Sequence, residues 1–195
     1  MTTTTKARRR PLTLAELTED NRIRLRTAVH EAGHAVAATV LGGRISAAVL
    51  ADGATFGIHG QTVHRSVPEG AWPAILYAGP WAEAGFIAGR RPTQREMYAI
   101  LADTGHHDSE ALCAAACNDE MASASARAVV RLIERCWPSV ITLAQTIHRD
   151  GEARHEDVCR ALHLTDDGGP GSVELAMIRA ARAPGSFTVT PAAAV

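Results

Sequence analysis

The residues best equipped for chemistry lie in Thr27–Leu41, TAVHEAGHAVAATVL. His30 and His34 are four apart, and four residues advance a helix by about one turn, so their imidazoles sit one above the other on one face. Two imidazoles so placed can supply two ligands to a single zinc ion. Glu31 projects beside the pair, where it can reach a water at the metal without being a ligand itself. Zinc lowers the pKa of such a water toward about 7, and a carboxylate can take its proton as the oxygen attacks a carbonyl. The plain alternative makes His30 and His34 hydrogen-bonded core histidines, with Glu31 on a solvated edge. Against it, the flanks are apolar, and Gly33 interrupts the helix where propensity would prefer Ala.

A catalytic zinc site takes three protein ligands and keeps one position open. The third ligand must come from elsewhere in the chain. Asp108 with its neighbours His106 and His107, Glu83, Asp103, His59 and His64 are all eligible, and spacing does not choose among them. Cys113 and Cys117, four apart on a predicted helix, could also touch a metal, but buried Cys is ordinary core material. The four cysteines include no Cys-x-x-Cys pair, and they are expected to be reduced, mostly buried thiols.

The elements that must position these residues are mainly helical. Ala supplies 37 of the 195 residues and aromatics only 4%, which favours closely packed helices over a sandwich or barrel. A helix is predicted over Leu12–Leu41, stopped by Gly42-Gly43. Two strand-like segments follow, Ile45–Leu50 and Thr55–His64, with Asp52-Gly53 as the turn between them. Helix resumes from Glu69 to Gly89, where Pro80 should kink or break it. Gln94–Ala102 is a short segment, and a further helix should start near Asp108, a residue that would also serve as an N-cap. The periodicity over Asn118–Asp150 predicts two helices divided at Pro138, followed by short helices at Glu156–Leu164 and Val173–Arg182. Trp72, Trp81 and Trp137 are expected as core or groove-wall residues. Gly57–His64 is expected as an edge strand beside the metal, to which an extended peptide could pair.

Residues 1–11 are expected to be a disordered basic arm, 12–164 the domain, and 165–195 a flexible tail with one short helix. The formal net charge of −1 offers no whole-protein field for nucleic acid or an anionic membrane. No stretch approaches the roughly 18 apolar residues of a membrane span. The N-terminus lacks the apolar run of a signal peptide, so a cytoplasmic protein is expected.

The series HEAGHAV, Gly-Gly stop, strand pair, Gly79-Pro80-Trp81-Ala82-Glu83 and Gly105-His106-His107-Asp108 resembles the protease domain of FtsH-type ATP-dependent zinc metalloproteases, over roughly Arg24–Leu164. The resemblance implies a mainly helical zinc-metalloprotease domain with a small β-hairpin element. It implies that His30, His34 and Asp108 bind Zn2+, that Glu31 is the base, and that Glu83 orients a ligand from behind. Ser109 departs from the family's usual apolar residue. The family's membrane anchor and ATPase module precede its protease domain, whereas 29 residues precede His30 here, without a phosphate-binding Gly-rich Lys loop. The expected activity is therefore zinc-dependent hydrolysis of peptide bonds in flexible or unfolded polypeptides, with a separate unfoldase or a homo-oligomer as possible partners. The rival expectation is a zinc-containing binding or regulatory module of the same fold that does not turn over.

Overall fold

The computed structural model describes residues 16–55 and 58–188. The basic arm expected at 1–11 and the end of the tail lie outside them. The described residues form eight helices and a three-stranded antiparallel sheet, a mainly α architecture with a small β element. None of these helices is long and apolar enough to cross a membrane.

Helix α1 runs over Glu19–Val40 and begins later than the hydrophobic pattern suggests, because Thr18 caps it by accepting a hydrogen bond from the Asn21 N–H. Glu19 and Asp20 then face the positive end of the helix dipole. Every residue from Ala28 to Val40 is buried, so the half of α1 that carries the motif is the centre of the molecule. Gly42, at a φ of 97°, ends the helix as expected.

Strands β1 (Arg44–Thr55) and β2 (Ile58–Ser66) pair antiparallel, and a two-residue β3 (Glu152–Ala153) pairs on the other side of β1. The order β2-β1-β3 leaves β2 at an edge. The turn expected at Asp52-Gly53 is not where the chain reverses. Strand β1 continues to Thr55, and between the pairs Leu50–Gly60 and Thr55–Ile58 it spends three more residues than β2 does. That irregularity absorbs the Asp-Gly pair within the strand.

Helix α2 (Trp72–Ala88) passes through Pro80 without ending, so of the kink or break expected there the break does not occur. The Pro80 ring lies against Gly105, where an added Cβ would come within 3.1 Å of it. The position therefore has a packing role that offsets the lost backbone hydrogen bond. Helix α3 (Gln94–Ala102) is fixed by a capping box between Thr93 and Glu96. Helices α4 (His106–Asn118), α5 (Ala122–Arg135) and α6 (Trp137–Asp150) follow, the last two divided at Cys136 with Pro138 in the first turn of α6. Short helices α7 (His155–Ala161) and α8 (Val173–Arg179) complete the described chain.

The core is built from Val29, Val36 and Val40 of α1 against Ile75, Ile133, Leu143 and Ile147. Small residues set the spacing of α1 and α2: a Cβ on Gly33 would come within 2.7 Å of the Ala78 carbonyl oxygen and 2.9 Å of the Ala82 Cβ. The cysteines divide evenly. Cys136 and Cys159 are buried, while Cys113 and Cys117 are exposed, because α4 buries none of its residues. Trp81 is buried and meets Trp137 edge to face, whereas Trp72 is 42% exposed.

Candidate metal centre

His30 and His34 lie one turn apart on the buried half of α1, their ring centroids 4.7 Å apart. Each ring is fixed from behind through Nδ1. His30 Nδ1 lies 3.0 Å from a Glu83 carboxylate oxygen, and His34 Nδ1 lies 2.8 Å from the Ile75 carbonyl oxygen. A carbonyl oxygen can only accept, so His34 carries a proton on Nδ1 and its Nε2 is bare when the ring is neutral. Both Nε2 atoms turn toward Asp108, whose two carboxylate oxygens stand 2.9 Å from His30 and 3.4 Å from His34. One ligand atom from each of the three residues lies within 4.8 Å of the others.

Asp108 reaches this place because α4 starts at His106. Gly105 occupies the N-cap position and no side chain caps the helix, so Asp108 lies in the first turn and does not serve as the cap that its type suggests. The other eligible ligands stay out of the group. Asp103 is exposed at the end of α3, and His106 Nδ1 donates to the Asp103 carbonyl oxygen at 3.0 Å. His107 stacks on His106 at 3.8 Å, and His59 and His64 line the cavity from β2. Among the described residues no cluster of three or more metal-binding side chains includes Cys113 or Cys117.

Glu83, on α2 and almost fully buried, holds the centre together. One of its oxygens takes the His30 Nδ1 contact and the Thr104 hydroxyl at 2.8 Å; the other takes Arg26 at 2.9 and 3.0 Å. Burial opposes the charge on Glu83, but hydrogen bonding to His30 and Thr104 and the charges of His30 and Arg26 outweigh it and lower its pKa. Burial likewise works against a charged His30, yet Asp108 and Glu83 on its two nitrogens raise its pKa to about 10. His34 is raised for the same reason, chiefly by Asp108, and Asp108 is held well below the usual carboxylate range by the two imidazoles. Without a cation the raised pKa of His30 keeps that imidazole protonated at neutral pH between Glu83 and Asp108, and Asp108 favours the charged form of His34 as well. A metal ion would take the place of those protons.

Glu31 is also buried, and its carboxylate accepts a hydrogen bond from the Thr62 hydroxyl of β2 at 2.7 Å. It lies in the same cavity of about 350 Å3 as the three potential ligands, with Trp72, Ile75 and Leu76 forming an apolar wall. Two glycines make this packing possible. A Cβ on Gly60 would come within 3.0 Å of Glu31 Cγ and 2.6 Å of Thr27 Cγ2, and one on Gly79 would overlap the His34 ring. His64 closes one side of the cavity, its ring edge to face with Trp72 at 4.9 Å; burial and the neighbouring charge of His34 push its pKa down to about 4.

Sequence reasoning named His30, Glu31, His34, Asp108 and Glu83 but missed Arg26, Thr62, Thr104, Gly60 and Gly79. A signal existed for Gly79 alone, since a glycine inside an otherwise apolar helix marks a close approach. Comparison of the chain with protein-family models and with curated proteins found no match.

Proposed function

We propose that this protein is a zinc-dependent endopeptidase whose metal is held by His30, His34 and Asp108. The observation that carries the reading is the convergence of those three side chains beside Glu31 in one cavity. The donor set fits zinc: two imidazoles and one carboxylate, fewer than the four ligands of a closed structural site. The support behind the ligands fits as well. Glu83 and the Ile75 carbonyl occupy both Nδ1 atoms, which orients the rings and leaves Nε2 of each for the metal. When bound, zinc acts there as a Lewis acid, polarising a carbonyl and making water a better nucleophile at neutral pH.

The remaining work belongs to the chain. Glu31, aimed by Thr62, accepts the proton of the attacking water and delivers it to the departing amide nitrogen. Its burial keeps competing water away from that transfer. Glu83 holds His30, and through Arg26 and Thr104 it ties α1 to α2 and to the start of α4. Strand β2, at the sheet edge and lining the cavity, offers unpaired backbone groups to an extended peptide, which favours flexible or unfolded polypeptides as substrates.

Glu31→Gln keeps the shape of the side chain and removes the base. It should bind one zinc per chain and hydrolyse nothing measurable, whereas Asp108→Ala should lose both zinc and activity. Loss of zinc from Glu31→Gln would instead give that carboxylate a ligand role. A zinc-loaded wild type that cleaves no unfolded protein would favour a non-catalytic module of the same fold.

A further inference from the structure

The two ring nitrogens of His64 are in different surroundings. Nδ1 is sealed from solvent and has no hydrogen-bond partner, while the ring as a whole lines the cavity that holds His30, Glu31, His34 and Asp108. A neutral imidazole carries one proton, and with no acceptor at Nδ1 that proton resides on Nε2. Nε2 is not among the buried atoms left without a partner, and the residue lines the cavity, so Nε2 is the nitrogen through which the ring can donate there. No carboxylate hydrogen-bonds either nitrogen among the described residues, and the ring packs edge to face with Trp72.

The strand aims this donor at the reaction centre. Side chains two apart share a face of a strand, so His64 lies on the same face of β2 as Thr62 and Gly60. Thr62 hydrogen-bonds Glu31, and Gly60 packs against Thr27 and Glu31, so that face is turned toward the motif helix. The pairing of β1 with β2 is irregular on both sides of His64. Between Arg44–Ser66 and Ile45–His64 strand β2 has one extra residue, Arg65; between Ile45–His64 and Ala47–Val63 strand β1 has one extra, Ser46. Irregularities of this kind re-aim a side chain, and they are concentrated beside active sites. His155 also has a buried Nδ1 without a partner, but it does not line this cavity, so it is the position of His64 on the cavity wall that sets it apart.

We propose that His64 is the oxyanion donor of this site, its Nε2–H donating a hydrogen bond to the scissile carbonyl oxygen as that oxygen gains negative charge. This rests on the endopeptidase reading. The proton stays on His64 throughout, and water, Glu31 and the departing amine carry all proton movement. A donor fixed in advance by packing needs no reorganisation during the reaction, which is why such donors weigh heavily in the transition state.

The test uses His64→Phe, which keeps an aromatic edge on Trp72 and removes the donor, and His64→Gln, which keeps an N–H. The full-length zinc-loaded proteins are compared in peptide cleavage, in affinity for a phosphinate peptide that mimics the tetrahedral intermediate, and in zinc content; imidazole 15N spectra are recorded on the wild type. The proposal expects kcat to fall roughly 100-fold in His64→Phe with KM little changed. Phosphinate binding should weaken by a comparable factor, zinc content should stay the same, and His64→Gln should fall in between. The spectra should place the His64 proton on Nε2. A wild type that cleaves peptide while His64→Phe matches it in kcat and phosphinate affinity would overturn the role of His64 alone. So would a proton found on Nδ1, a result that does not depend on the variants folding. A zinc-loaded wild type that neither cleaves peptide nor binds the phosphinate would overturn the endopeptidase reading, and the role of His64 with it.

Discussion

Replacing Gly79 by Ala sets two effects against each other on one residue. Gly79 lies inside α2, where Ala is favoured over Gly by about 0.8–1 kcal/mol. The added Cβ would lie about 2.7 Å from His34 Cδ2 and closer still to Nε2, far inside van der Waals contact. His34 cannot give way freely, because its Nδ1 is hydrogen-bonded to the Ile75 carbonyl and its ring is buried. Overpacking of this kind costs about 1–3 kcal/mol, so the steric effect should win. The net loss of up to about 2 kcal/mol lowers the melting temperature by several degrees in a chain of this size. Displacing His34 should also weaken zinc by at least the 10–100-fold typical of a disturbed ligand support. Gly85→Ala, in the same helix, is the internal control. Its Cβ would meet neighbours at 3.6–3.7 Å, ordinary contact, so it should stabilise by up to about 1 kcal/mol and leave zinc affinity alone. Thermal unfolding of the metal-free proteins and zinc competition against a chelating dye read both quantities. Equal zinc affinity and equal stability in the two variants would refute the packing account of His34.

Four further outcomes follow from the same geometry. Glu83→Gln removes the charge that His30 Nδ1 and Arg26 share, and zinc affinity should drop about 10–100-fold by the same competition assay. Zinc binding near pH 7.5 should release protons, because His30 is protonated in the metal-free centre and a ligand nitrogen must be bare; calorimetry in buffers of different ionisation enthalpy measures this, and no release would contradict it. The folded pKa of His30, about 10, lies above the unfolded value of about 6.5. Its contribution to metal-free stability is therefore complete below about pH 6.5 and lost as pH rises toward 10, while zinc affinity climbs over the same interval. Backbone N-methylation at alternate positions of a peptide substrate should raise KM about tenfold or more if β2 pairs with it, and an unchanged KM would argue for a different binding mode.

Much of the fold could be read from local chemistry. The Thr93–Glu96 capping box bounds α3, and Pro138 just after Cys136 divides α5 from α6, because each signal acts within one turn of itself. The motif helix and the facing of His30 and His34 were legible because a spacing of four residues has one meaning on a helix, whereas spacing alone did not choose Asp108. The failures came where distant contacts override local preference. Pro80 was expected to kink or break α2; the helix is not broken there, and the ring packs against Gly105, which follows it by 25 positions. Asp108 has the type of an N-cap, yet His30 and His34 claim its carboxylate across the fold. Thr62 and Arg26 have no local signature at all, since they matter only through Glu31 and Glu83. Free cysteines are ordinary core material, which suggested mostly buried thiols, but α4 buries none of its residues and leaves Cys113 and Cys117 exposed.

The central claim is that this centre hydrolyses peptide bonds, and one experiment addresses it directly. Zinc-loaded protein is incubated with an unfolded, fluorescence-quenched polypeptide, stripped with a chelator, reloaded with zinc, and compared with Glu31→Gln throughout. Cleavage that disappears with the metal, returns with it, and is absent from Glu31→Gln is the predicted result. Undiminished cleavage by Glu31→Gln, or none by a wild type carrying one zinc per chain, would contradict the account.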